Sequence, residues 1–214
     1  MIKDQLAGKK ILLGVTGCIA AYKSCLIVRE LIKRGAEVKV VMTPSAIEFI
    51  SPLTLATLSR NEVIVNTFPP SQKNGTKLST WHIDYTLWAD LMLITPATIN
   101  TIAKISYGFA DNALTTLVTA LRSSLVIAPA ADVDMFNNPI NKENLAKLER
   151  VGHYIIYPES GELASGLIGE GRLADTNKII DAAELILSGY SKDLIGKKIL
   201  VSAGPTYEYI DPVR

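Results

Sequence analysis

Several hydroxyl side chains in this sequence share one kind of position, just after a short apolar run and just before a helical pattern. Thr16 stands in "GVTGCIA", Thr43 and Ser45 in "MTPSA", and Thr95, Thr98 and Thr101 in "TPATINT". A helix start leaves backbone N–H groups unpaired and carries the positive end of the helix dipole, so hydroxyls and amides gathered there can hold a phosphate. Each of these side chains taken alone is also what an ordinary helix N-cap needs, and for any single one capping is the simpler use. Three clusters at three strand ends point further, to a mononucleotide.

His82 is the second candidate. It follows a polar stretch from Thr67 to Thr80 and precedes Trp88, Ala89 and Asp90, a spacing that puts it at the mouth of such a site. Imidazole titrates near neutral pH and serves as acid or base. A structural histidine fits the same residue, and the residues alone leave both readings open. Cys18 adjoins the first Gly-rich turn, which gives it a place near a ligand. Cys25 follows in a helical pattern that separates the two thiols by roughly 10 Å, too far for a disulfide, so both read as helix-packing thiols. His153 is remote from His82 and neither has metal-ligand spacing around it, so no metal site is expected.

These side chains need elements to hold them. "KKILLGV" is a short apolar run closed by Gly14, Thr16 and Gly17, and a helical pattern from Ile19 to Lys33 follows, ended by Gly35. "AEVKVVM" is a second strand. Two short helices near Ser45–Ile50 and Pro52–Ser59 and a weak strand at "EVIVN" come next. "HIDYTLWAD" gives one or two helical turns, "LMLIT" a buried strand ended by Pro96, and "INTIAKI" a helix. Ala113 to Leu121 is helical, "SSLVIAPA" a strand, "NKENLAKLERVG" a helix, "HYIIYP" a strand, and "TNKIIDAAELILSG" the last full helix. Strands that are apolar on consecutive residues suit a parallel sheet covered on both faces. The expected fold is therefore α/β: a Rossmann-like, doubly wound parallel sheet with helices on both faces, in which ligands sit beyond the carboxyl ends of the strands.

Composition narrows the function. The chain has 214 residues, 48% of them hydrophobic, enough for one sizeable core. With 22 basic and 21 acidic residues the formal net charge is +1, and no basic stripe marks a nucleic acid or an anionic membrane as partner. No signal core or stretch of about 18 apolar residues occurs, so a cytoplasmic protein acting on a small molecule is expected. Asn74-Gly75-Thr76 is a chance sequon in that setting. A nicotinamide dinucleotide is disfavoured, because "GVTGCIA" is G-x-x-G-x-x-A and Met42-Thr43-Pro44-Ser45 offers no carboxylate for a ribose after the second strand.

The blocks "GVTGCIAAYKS", "HIDYTLWADLMLITPATINTIAKI", "GFADNALTT", "APAADVDMFNNP" and "SGELASGLIGEGRLAD" resemble, in this order, the homo-oligomeric flavin-containing cysteine decarboxylases, and among them the phosphopantothenoylcysteine decarboxylases of coenzyme A biosynthesis. The resemblance runs from about Lys9 to Leu187. It implies a three-layer flavoprotein sandwich with FMN at a subunit interface, in a homotrimer or an assembly of trimers. It implies that Gly17, Cys18 and Ile19 line the first turn around the cofactor, Thr43 and Ser45 the second, Thr98 and Thr101 the third, with Ala130 closing against it. The implied substrate is 4'-phosphopantothenoylcysteine and the implied product 4'-phosphopantetheine. FMN carries the redox chemistry and the protein orients and protonates. His82 matches the family's active-site histidine.

The chain also departs from the family. In "PAADVDMF" Ala131 stands for Met and Asp132 for Asn; an Asn amide donates to a substrate carboxylate, whereas an ionised Asp only accepts. Asp132 would therefore need a proton or a partner such as a lysine or Arg172. In the Gly-rich flap "ELASGLIGEGRL", expected to close as a lid, Ser165 occupies the place of the family's proton-donating cysteine, and a hydroxyl is a far weaker acid than a thiol. Two rival functions follow: a non-catalytic flavin-binding regulatory subunit, favoured by Ser165 and Asp132, and a flavin prenyltransferase-like enzyme. The second is disfavoured by "GKKILVSAGPTYEYIDPVR", which echoes "GKKILLGVTG" near the N-terminus and resembles the start of phosphopantothenate-cysteine ligase. The expected organisation is thus a decarboxylase domain over 1–190, with 191–214 a linker and the truncated start of a ligase-like domain.

Overall fold

The computed structural model describes residues 6–68, 80–189, 198–201 and 204. The sequon at 74–76, most of the polar stretch before His82, the linker at 190–197 and most of the ligase-like tail lie outside the described residues.

Six strands form one sheet in the order β3-β2-β1-β4-β5-β6, and every neighbouring pair is parallel. They are β1 (Lys10–Val15), β2 (Glu37–Met42), β3 (Val63–Ile64), β4 (Leu91–Ala97), β5 (Ser124–Pro129) and β6 (Tyr154–Ile155). The reason is the one expected from the sequence: β1 is buried from Ile11 to Val15 and β4 along its whole length, so both faces need cover. Ile11, Leu13 and Val15 pack on one side with Ile27 and Leu31 of α1 (Lys23–Lys33) and Ile179, Ile180 and Ala183 of α8 (Thr176–Leu187). Leu12, between them, points the other way, into a layer holding Trp81 of α3 (Trp81–Trp88), Ile102 of α4 (Ile99–Ser106), Leu114 and Leu117 of α5 (Ala113–Ala120) and Leu145 and Leu148 of α7 (Pro139–Arg150). The two-residue period of a strand thus splits the expected single core into two, one on each face.

Three elements differ from their sequence-based boundaries. The helix expected from Ile19 begins as a 3-10 turn over Ile19–Tyr22 before α1 takes over. β4 does not stop at Pro96; it continues to Ala97 with its pairing to β5 shifted between Ile94 and Ala97, because proline has no N–H for the ladder. The Gly-rich flap is an antiparallel hairpin of β7 (Glu159–Glu162) and β8 (Ile168–Arg172). No helix among the described residues is long and apolar enough to cross a membrane.

Leu93 of β4 is fully buried in the central pair of strands. Leu93→Ala is expected to destabilise the fold by about 2–5 kcal/mol, read as a lower urea midpoint in far-UV circular dichroism.

Candidate functional site

Crossovers run outward from β1 on one side and from β4 on the other, so the strand order reverses between these neighbours. A doubly wound sheet opens a crevice at such a switch point. Here one hydroxyl ties its two lips together. Thr16 is fully buried; its Oγ donates to the Pro96 carbonyl at 2.7 Å and accepts from the Thr98 N–H at 2.9 Å, using both roles of a hydroxyl at once. Thr98 then caps α4: its Oγ accepts from the Thr101 N–H at 3.4 Å and donates to Thr101 Oγ at 3.1 Å. Thr43 and Ser45 share a hydrogen bond at 3.2 Å.

Gly17 fixes how closely the first two turns approach. A Cβ on it would lie 2.6 Å from both the Ser45 carbonyl oxygen and Ser45 Oγ, so any side chain would drive the turns apart. With glycine there, the turns at Gly17–Ile19 and Ser45 line one cavity of about 590 Å³. Thr98, Ile99 and Asn100 enter it from α4, and Tyr22 and Lys23 from the start of α1. Ala130, Ala131, Asp132 and Met135 come from the end of β5 and the short helix α6 (Val133–Asn137), and Glu162–Ala164 and Gly171–Leu173 from the hairpin. Most of the wall is aliphatic, with hydroxyls and backbone confined to the turns.

The hairpin is anchored to the domain at its base. The Ala131 N–H donates to the Gly171 carbonyl at 3.0 Å. Gly171 has φ +148°, and a Cβ there would run into the Ala131 carbonyl oxygen, while one on Gly169 would sit 2.5 Å from Val133 Cγ2. Only backbone without side chains packs this closely on α6. Glu159 holds the other strand, with Arg172 at 3.6 Å and Lys178 at 3.9 Å. At the far end Leu163 N–H donates to Leu167 O and Gly166 N–H to Leu163 O, with Gly166 at φ +84°, a three-residue hairpin loop with glycine in its left-handed position.

Of the sequence-predicted residues, Gly17, Cys18, Ile19, Ser45, Thr98, Ala130 and Asp132 therefore line one cavity. Thr43 and Thr101 sit directly behind it, bonded to Ser45 and Thr98. Ser165 is at the exposed hairpin tip, where its Oγ accepts from the Leu167 N–H at 3.4 Å, and is not among the lining residues. Asp132 precedes α6 without capping it. Arg172, one of the partners considered for it, is engaged by Glu159 instead, and no ion pair holds Asp132 among the described residues. His82 lies in the first turn of α3, half-buried, its ring edge-on to Trp81 at 5.8 Å. Asp90 beyond the far end of α3 meets Lys10 at the start of β1, so His82 stands at the carboxyl end of the sheet, as the cavity does, but outside its lining. Sequence reasoning missed Lys23, Met135 and Glu162. The hairpin signal was present in "LASGL", whose glycine supplies the left-handed turn position.

Burial pushes the Cys18 thiol above its usual range, and that of Cys25 likewise. At pH 8 each holds less thiolate than an exposed cysteine, so alkylation followed by peptide mass mapping is expected to modify both more slowly in the folded protein than in urea. Gly17→Ala is expected to cost about 1–3 kcal/mol through overpacking against Ser45, measured by urea unfolding. Gly17→Ala/Ser45→Gly should not recover that loss, because the Ser45 carbonyl remains in the way.

The chain is similar to known proteins over nearly all of its length. The coenzyme A biosynthesis bifunctional protein CoaBC of Bacillus subtilis (strain 168) is 44% identical over 211 residues, 98% of this chain and 51% of that protein. The chain thus spans about half the length of the curated relatives it matches. Among solved structures, a cysteine-to-serine mutant of PPC decarboxylase complexed with pantothenoylaminoethenethiol superposes with a TM-score of 0.75 at 31% identity, covering 85% of this chain and 99% of that one. The FMN binding protein AtHal3 does so with 0.73 at 30%, covering 86% and 98%. The Flavoprotein family model matches residues 2–187, the whole span of sheet, cavity and hairpin, and the chain belongs to that family.

Proposed function

We propose that the chain is an FMN-dependent decarboxylase that removes the cysteinyl carboxyl group of 4'-phosphopantothenoylcysteine, within a cytoplasmic homotrimer or assembly of trimers. The observation that carries this reading is the convergence of the Gly17–Ile19, Ser45 and Thr98 turns on one apolar cavity at the β1/β4 switch point. The relatives' names, CoaBC, PPC decarboxylase and FMN binding protein, support the same assignment.

The residues present fit a flavin mononucleotide. Its phosphate suits the hydroxyls of Ser45 and Thr98 and the backbone of the Gly17 turn, and its flat ring system suits the aliphatic wall of Ile19, Ala130 and Ala131. When bound, FMN would supply two-electron redox chemistry at the cysteinyl end of the substrate, the change that makes loss of carbon dioxide feasible. The chain's own residues orient the substrate, exclude water with the hairpin and move protons. Asp132 faces the cavity, and its charge opposes a carboxylate placed beside it unless one of the two is protonated. His82, at the same end of the sheet, is assigned proton transfer or carboxylate positioning at a site completed by assembly of subunits. The last residues, 191–214, are assigned to a linker and the start of a ligase-like domain.

One observation favours a second reading. With Asp132 in no ion pair among the described residues and Ser165 at the exposed tip, a flavin-binding subunit without turnover fits the same cavity. The two separate in one experiment: incubation of the purified yellow protein with 4'-phosphopantothenoylcysteine under argon, followed by mass spectrometry. A product lacking the carboxyl group is expected, and His82→Asn is expected to lower its rate of formation by about 10²–10⁴-fold, the usual range for loss of a proton-transfer group. Intact substrate after incubation with flavin-loaded protein would overturn the decarboxylase reading.

A further inference from the structure

Ser165 cannot be the acid that finishes the reaction from where it stands. Its hydroxyl is at the hairpin tip, occupied with the Leu167 N–H, and the hairpin residues that line the cavity are Glu162 at the end of β7, Leu163 and Ala164 leading into the turn, and Gly171 and Arg172 of β8. Of these only Glu162 can give up a proton as an ordinary acid. Glu162 is the last residue of β7, held in the ladder opposite Ile168, and it lines the cavity, whereas Ser165 belongs to the turn beyond it. No hydrogen bond or ion pair engages the Glu162 carboxyl among the described residues.

The other acidic and thiol groups that line the cavity lie on other elements than the hairpin. Cys18 sits on the glycine turn assigned to the phosphate end of the cofactor, and burial holds its thiol above the usual range. Asp132 stands at the other wall, before α6. Resting on the decarboxylase reading above, we propose that Glu162 is the general acid of the final, reductive half of the cycle, in the role that a flap thiol would otherwise fill. After carbon dioxide leaves, the organic product is an enethiol and the cofactor holds two electrons. In the reductive step the C=C π bond breaks and two C–H bonds form. One carbon receives a hydride equivalent from the reduced cofactor, which is thereby oxidised, and the other receives the proton of Glu162. Glu162 is left as carboxylate and regains its proton from solvent, to which it is exposed. The other charged groups that line the cavity are Lys23 from α1, Asp132 beside α6 and Arg172 from β8, the last engaged by Glu159.

The test is the ratio of saturated to unsaturated decarboxylated product made by the flavin-loaded protein under argon, read by mass spectrometry. Flavin absorbance is followed alongside, to show whether the cofactor ends oxidised or reduced. A ratio taken within one population of active sites does not move when part of the protein merely unfolds. The wild type is expected to give saturated product and oxidised flavin. Glu162→Gln is expected to shift the ratio at least tenfold toward the unsaturated product with flavin left bleached, and Glu162→Gln/Ser165→Cys to shift it back. Glu170→Gln, on the facing strand and outside the cavity, should leave it unmoved. Saturated product from Glu162→Gln at the wild-type ratio would overturn the proposal. So would unsaturated product alone from the wild type, which leaves the decarboxylase reading standing. Absence of any decarboxylated product would overturn both.

Discussion

The structure hangs on the hydroxyl of Thr16. It bridges the ends of β1 and β4 at the one place where the sheet changes winding direction, giving a proton to the Pro96 carbonyl and taking one from the Thr98 amide. A buried hydroxyl with both roles filled is worth little net energy but is costly to leave half-satisfied. Its use is therefore positional: it sets the spacing of the two turns between which a ligand must lie. Thr98, held by this bond, caps α4, and Gly17, the next residue after Thr16, lets Ser45 close to within contact distance. Three helix starts are thereby brought to one cavity by interactions that involve no ligand.

The hairpin adds the opposite wall under a different constraint. Its lower half is fixed by glycines that admit no side chain against α6 and by the Glu159 cluster, whereas Leu167 and Ile168 at its far end are exposed. Glu162, the last residue of the strand, is held in the ladder opposite Ile168 and lines the cavity, and Ser165 sits in the turn beyond it and does not. That contrast separates Glu162 from Ser165.

Much of this was legible in the sequence. Consecutive apolar residues in "KKILLGV" and "LMLIT" revealed a doubly covered parallel sheet, and hydroxyls at strand ends revealed the cavity. What the sequence did not reveal was which hydroxyls face the ligand. Thr16 looked like the others, but burial turns it inward, and Thr43 and Thr101 support Ser45 and Thr98 rather than lining the wall. Pro96 suggested a strand end because proline breaks ladders, yet a register shift carries β4 one residue past it. The glycines of the flap suggested a loop, since nothing in local composition announces that α6 will need them bare. The partner of Asp132 was undecidable from residue types, because several carboxylates compete for Arg172 and only packing selects Glu159.

The claim on which the account rests is that the turns joined by Thr16 hold the cofactor's phosphate. A crystal structure of the purified, flavin-loaded protein tests it most directly. The expected result is phosphate density within hydrogen-bonding distance of the Gly17–Ile19 backbone and of the Ser45 or Thr98 hydroxyl, with the ring system against Ala130. A phosphate bound elsewhere, with these turns facing only solvent, would contradict it.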